Sequence, residues 1–282
     1  MDYYRKWLVE TEWLAEHLDA PDVVILDGSC YLPIEERDAD EEFHDQHIPG
    51  AQRFDFDDIA DTSTGLPHML PSPEKFSARV RKMGIGDGTR VVVYDMQNIV
   101  SASRVWWMFR PMGPEDVAVL NGGLCKWRAE RRPMSEGTPE KRGERHFTAR
   151  LNGSLLREFD DMKGLLTSGA MQIVDCRSAG RFSGKDPEPR DVPRLGRIPG
   201  SKHLPYQRFL MQNGTMKAPD EIRKLFAAAE IDPAKPMVVT CGSGNTACVL
   251  ALAAAAIGHE HVAIYDGSWA EWSAADVPAE IG

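Results

Sequence analysis

The segment Cys241-Gly242-Ser243-Gly244-Asn245-Thr246-Ala247 is the part of the sequence best equipped for covalent chemistry. The run before it, Met237-Val238-Val239-Thr240, is nearly continuous in apolar and β-branched residues. Such a run suits a strand buried on both faces of a parallel sheet. Thr246 then opens an alanine-rich stretch of helical character that extends to Ile257. Cys241 thus stands at the carboxyl end of a strand, where open parallel sheets bind ligands. Loop N–H groups and a following helix N-terminus favour a thiolate there and can cradle negative charge on sulfur. A lone cysteine more often packs as a small hydrophobe. The strand–Cys–Gly-x-Gly–helix context favours the chemical reading here. Cys248 falls within the helix and reads as core. Cys30, Cys125 and Cys176 have no such context and read as structural or incidental.

Phosphatases place a cysteine in a loop of similar shape and follow it, six residues on, with an arginine that grips the phosphate dianion. Here the sixth residue is Ala247, and the loop holds neither Lys nor Arg. Dephosphorylation is a poor fit.

The elements that position this loop occur twice. Asp27 closes Val23-Val24-Ile25-Leu26-Asp27, and Asp175 closes Met171-Gln172-Ile173-Val174-Asp175. His47-Ile48-Pro49-Gly50 is matched by Arg197-Ile198-Pro199-Gly200. Val91-Val92-Val93-Tyr94-Asp95 is matched by Met237-Val238-Val239-Thr240-Cys241. Asn121-Gly122-Gly123 with Trp127 is matched by Asp266-Gly267-Ser268 with Trp272. Four landmarks in one order at nearly constant offset mark a repeat, and its length makes each copy a domain. Each copy alternates β-rich runs with helical stretches such as Pro219 to Ala229. This implies an α/β fold with a parallel sheet flanked by helices in each domain. The Pro-, Gly- and charge-rich stretch between Pro133 and Gly153 lacks apolar period and reads as the linker. The expected division is 1–135, a linker at 136–154, and 155–282. In the first copy Asp95 holds the cysteine's place. A carboxylate cannot carry sulfur, so that copy is expected to be inert and to serve as a wall of the cleft.

The bulk properties agree with a two-domain enzyme of 282 residues. A formal net charge of −10 disfavours nucleic acid and anionic membrane as partners. Five scattered cysteines do not form a disulfide framework, and no Cys/His spacing suggests structural zinc. The start, MDYYRKWLVETEWLAEHL, has no long apolar run and reads as neither signal nor transit peptide. The longest apolar stretch, Ala247 to Gly258, is too short to span a bilayer. The expected compartment is the cytoplasm.

The sequence resembles the 3-mercaptopyruvate sulfurtransferases of the rhodanese superfamily over nearly its whole length. The resemblance lies in His47-Ile48-Pro49-Gly50-Ala51, Pro67-His68-Met69-Leu70-Pro71 and Ser103-Arg104-Val105-Trp106-Trp107-Met108. It continues in Glu188-Pro189-Arg190, in the Cys241 loop and in Tyr265-Asp266-Gly267-Ser268-Trp269. In this superfamily thiosulfate users carry basic residues after the cysteine, and mercaptopyruvate users carry Gly-Ser-Gly as here. Physics agrees, since a compact dianion rewards cations in the loop. Mercaptopyruvate instead offers a carboxylate and a keto group to arginines outside it. The resemblance makes those arginines Arg181 and Arg190. It also implies a proton-handling triad of Ser243, His68 and Asp57 spanning both domains, with loop amides from Gly242, Gly244, Asn245, Thr246 and Ala247 around the sulfur.

The reaction implied by the resemblance is ping-pong sulfur transfer through a Cys241 persulfide, without metal or organic cofactor. Its acceptor is expected to be a thiol, with thioredoxin-like proteins and low-molecular thiols as family candidates. A thiosulfate:cyanide sulfurtransferase and a non-catalytic sulfur-binding module are the alternatives. Two departures stand out: Asn245 where relatives are usually apolar, and Val100 where they often have an aromatic residue.

Overall fold

The computed structural model describes residues 2–96, 98–114 and 116–282. The first sheet is built from β1 (Leu8–Val9), β2 (Val23–Asp27), β3 (Gln52–Arg53), β4 (Arg90–Tyr94) and β5 (Val117–Leu120). The second is built from β6 (Leu156–Arg157), β7 (Gln172–Asp175), β8 (Lys202–His203), β9 (Met237–Thr240) and β10 (Ala263–Tyr265). The strand orders are β1-β5-β4-β2-β3 and β6-β10-β9-β7-β8. These are the same order in each copy, and every pairing is parallel. The four sequence landmarks thus fall on equivalent places in two equivalent sheets.

Successive strand side chains point to opposite faces, and each face has its own cover. Val24, Leu26, Val91 and Val93 face a core shared with Val174, Met237, Val239 and Ile264 of the second sheet. Val23, Ile25, Val92 and Tyr94 face a separate outer cluster, and Ile173, Val238, Ala263 and Tyr265 face another. The shared core holds two helices that follow equivalent strands, Val100–Phe109 and Ala247–Ala256. All ten residues of the second helix are buried. A helix apolar on every side belongs inside a protein, and this one packs between the sheets against its own counterpart.

Polar links cross the same junction. Arg104 Nη1 donates to Asp266 Oδ1 at 2.6 Å, with both side chains almost fully buried. Tyr4 Oη donates to the Met216 carbonyl at 2.8 Å, and Met216 N donates to Asn121 Oδ1 at 2.8 Å. The stretch expected as a linker is more tightly held than its composition suggests. Phe147 and Ala149 are buried, Arg145 N donates to the Arg81 carbonyl, and Ala149 N donates to Ser77 Oγ. Its backbone uses the first domain as partner instead of forming a strand or helix of its own.

Candidate active site

Cys241 follows β9 directly, and its loop is pinned from the carboxyl side. The Cys241 N–H donates to Ser268 Oγ, Trp269 N donates to the Cys241 carbonyl, and Ala270 N donates to the Gly242 carbonyl. Gly244 takes a positive φ of 76°. A Cβ there would stand 2.8 Å from the Asp266 carbonyl oxygen, so glycine alone fits this turn. Cys248, the second residue of the helix, donates its thiol to the Gly244 carbonyl.

The first copy shows what the loop can hold. Asp95 occupies the place of Cys241, and Leu124 N donates to its carbonyl just as Trp269 N does to that of Cys241. The Asp95 carboxylate turns into the loop and accepts from Ile99 N, Ala102 N and Ser101 Oγ. Burial pushes this carboxyl upward, and the amide and hydroxyl donors oppose that shift. A strand-to-helix loop of this design therefore collects donors around a negative group. In the first copy it is filled by the protein's own side chain.

Cys241, Gly242, Ser243, Asn245 and Thr246 line one side of a cleft of about 820 Å³. His68, Val100, Cys30 and Met96 line it from the first domain, and Arg181, Glu188 and Arg190 from the second. Gly244 and Ala247 stand behind the lining: Gly244 is turned onto Asp266, and Ala247 is fully buried. Asp57 also stands behind it, reaching the cleft through His68.

His68 is held unusually firmly. Its backbone has a positive φ of 63°, a conformation that non-glycine residues adopt only when their surroundings fix it. Arg104 Nη2 donates to the His68 carbonyl, and Leu70 N donates to Asp266 Oδ2 at 2.7 Å. The ring packs edge-on to Phe56. His68 Nδ1 bonds the Asp57 carboxylate, and Nε2 lies 2.8 Å from Arg190 Nη2. Burial would raise the Asp57 carboxyl. The His68 hydrogen bond, with the charge of Arg190, holds it below the usual carboxylate range.

Arg181 meets the cleft in a paired state. Its Nε donates to Glu188 Oε2 at 2.9 Å, and its Nη2 donates to the same oxygen. The other Glu188 oxygen accepts from fully buried Arg177, which is also forked onto Asp175. Gly242 lets this guanidinium approach, since a Cβ would stand 2.5 Å from Arg181 Nη2. Glu188, Arg177, Arg104 and Asp266 were not legible as site residues. Glu188, Arg104 and Asp266 sit within the family motifs, and that was the only signal for them.

Cys30 departs from its structural reading. It lines the cleft with Sγ 3.8 Å from Asp57 Oδ2. Burial, then the charges of Asp57 and Asp55, pushes its thiol up to about 12. Burial likewise raises the thiols of Cys176 and Cys248. These three are kept protonated, unfit as nucleophiles. Among the described residues no group of His, Cys, Asp and Glu could hold a metal ion, and no helix is long and apolar enough to cross a membrane.

Comparison with known proteins agrees with this fold. The family model of the rhodanese-like domain matches residues 10–130 and again 158–275. A human 3-mercaptopyruvate sulfurtransferase is 44% identical over 97% of this chain and 94% of its own. A bovine thiosulfate sulfurtransferase is 43% identical over 94% of this chain and 91% of its own. The crystal structure of SseA from Escherichia coli, described with the rhodanese fold of 3-mercaptopyruvate sulfotransferases, superposes with a TM-score of 0.85. It shares 37% identity over 94% of this chain and 99% of its own. With two matched domains, a shared fold and identity along almost its whole length, the chain belongs to the rhodanese family.

Proposed function

We propose that the chain is a 3-mercaptopyruvate sulfurtransferase: it takes sulfur from the donor as a Cys241 persulfide, releases pyruvate, and passes the sulfur to a thiol or to cyanide. The observation that carries this reading is the neutral Cys241 loop facing Arg181, Arg190 and His68 across one cleft. The Cys241 thiolate attacks the donor sulfur, with the donor carboxylate held by Arg190 and Arg181. The C–S bond breaks toward carbon, and Ser243, His68 and Asp57 move the proton that the enolate needs. By analogy with the donors gathered around Asp95, loop amides from Gly242 to Ala247 shelter the outer sulfur.

The human and bovine relatives are almost equally similar, so overall likeness does not choose the donor. The loop does. It carries no cation for a compact dianion, whereas two arginines flank the place for a carboxylate. Steady-state turnover with both donors tests this. The kcat/KM for mercaptopyruvate is expected to exceed that for thiosulfate at least about tenfold, the worth of one charged hydrogen bond. Equal or greater use of thiosulfate would favour the alternative. Arg190→Ala is expected to lose about 1.5–3 kcal/mol of transition-state binding, roughly 10- to 150-fold in kcat/KM for mercaptopyruvate. An unchanged value removes Arg190 from the site.

The same reading includes a division at 1–135, 136–154 and 155–282. It includes a small thiol or thioredoxin-like acceptor. A reducing compartment such as the cytoplasm suits five free cysteines and a persulfide cycle.

A further inference from the structure

Arg190 and His68 meet in a way that donor binding alone does not require. Arg190 Nη2 lies 2.8 Å from His68 Nε2. A guanidinium offers donors only and stays charged. Nε2 is therefore the acceptor and carries no proton. The ring proton sits on Nδ1, facing the Asp57 carboxylate. Nε2 has a single lone pair, so in the free protein the atom that must accept a proton is already occupied.

A second observation concerns the same guanidinium. Among the described residues, Arg190 Nε is buried and has no hydrogen-bond partner. A buried donor without a partner is destabilising, and a carboxylate entering the cleft would satisfy it. Nε and Nη2 form one edge of the guanidinium, the edge that Arg181 presents to Glu188. A carboxylate gripped there in two-pronged fashion takes one of the two Nη2 hydrogens and, by neutralising the guanidinium and turning it toward itself, weakens its hold on His68.

We propose that Arg190 blocks His68 in the free protein, and that the donor's carboxylate draws it away and releases Nε2 as the base. This rests on the mercaptopyruvate reaction above. In that reaction Cys241 thiolate and the donor thiol yield a Cys241 persulfide anion and pyruvate. The new S–S bond forms as the C–S electron pair passes to carbon. The proton of the donor thiol goes to Nε2, directly or through Ser243, and then to the carbon that becomes the pyruvate methyl. No outside oxidant or reductant is needed. Another thiol donor, without a carboxylate, would meet an occupied base, so the gate selects among thiols and leaves the choice against thiosulfate to the neutral loop.

The test is 15N NMR of the full chain labelled at histidine, at one fixed neutral pH, with His68 identified by its loss in His68→Gln. Pyruvate is the probe, at a concentration that inhibits turnover as product. The unprotonated nitrogen of His68 is expected to move when pyruvate is added. In Arg190→Ala, or in Arg190→Gln should the alanine variant not fold, it is expected to be displaced already and to ignore pyruvate. A signal shared by wild type and variant, a wild-type signal unmoved by inhibitory pyruvate, or no inhibition by pyruvate at all would each overturn the gate. If the protein still gains sulfur on Cys241, only the gate has failed. If it gains none, the reaction itself has been misread.

Discussion

Asp266→Ala lowers unfolding stability by about 3–5 kcal/mol, because it strands a buried guanidinium without its counter-ion. Arg104 is fully buried, and burial works against its charge. Asp266 is the foremost influence opposing this, and the guanidinium stays firmly protonated. The two carboxylate oxygens divide their work, one accepting from Arg104 and the other from Leu70 N. Arg104 in turn donates to the His68 carbonyl. Removing Asp266 thus also loosens the loop that aims His68, so turnover falls with stability. Asp266→Asn keeps an acceptor for Leu70 and loses the charge, and its loss should be smaller. Urea unfolding gives the answer as a lower midpoint at unchanged slope. A loss below about 1 kcal/mol would mean that the pair behaves like an exposed one.

Cys241→Ser lowers turnover on the order of 10³-fold or more while leaving the fold intact. The hydroxyl fills nearly the same buried volume, and the backbone bonds to Ser268, Trp269 and Ala270 do not involve the side chain. The variant loses only the sulfur that accepts sulfur. Of the other cysteines, Cys30 and Cys125 line the same cleft and are the natural understudies. Burial and neighbouring carboxylates push both thiols up, so neither rescues the variant. A Cys241→Ser protein with near-normal turnover would place the nucleophile elsewhere.

The sequence made the sheet legible because strands buried on both faces must be apolar along their length, and β4 and β9 are. The repeat made the topology legible, since equivalent landmarks must occupy equivalent strands. Cys241 was legible from its glycines and from the strand before it. The clamp behind it was not. Arg104 and Asp266 lie 162 residues apart, and Arg190 and His68 lie 122 apart. No local pattern links such pairs, because they are joined by the packing of one domain on the other. Cys30 was missed for a related reason: it comes beside Asp57 only through the fold. The role of Asp95 was half legible. A carboxylate at the cysteine's position predicts an inert copy, but only the folded loop reveals that it fills the amide cradle. The 136–154 segment shows the converse case. Pro, Gly and charge marked the absence of regular structure, and said nothing of how firmly the first domain would hold it.

The most direct measurement is the mass of the Cys241 peptide after the purified protein has met 3-mercaptopyruvate with no acceptor present. A gain of one sulfur atom on that peptide, reversed by cyanide, is the result that a persulfide carried at the end of β9 requires. An unmodified Cys241, or extra sulfur on Cys30, Cys125, Cys176 or Cys248 instead, would contradict it.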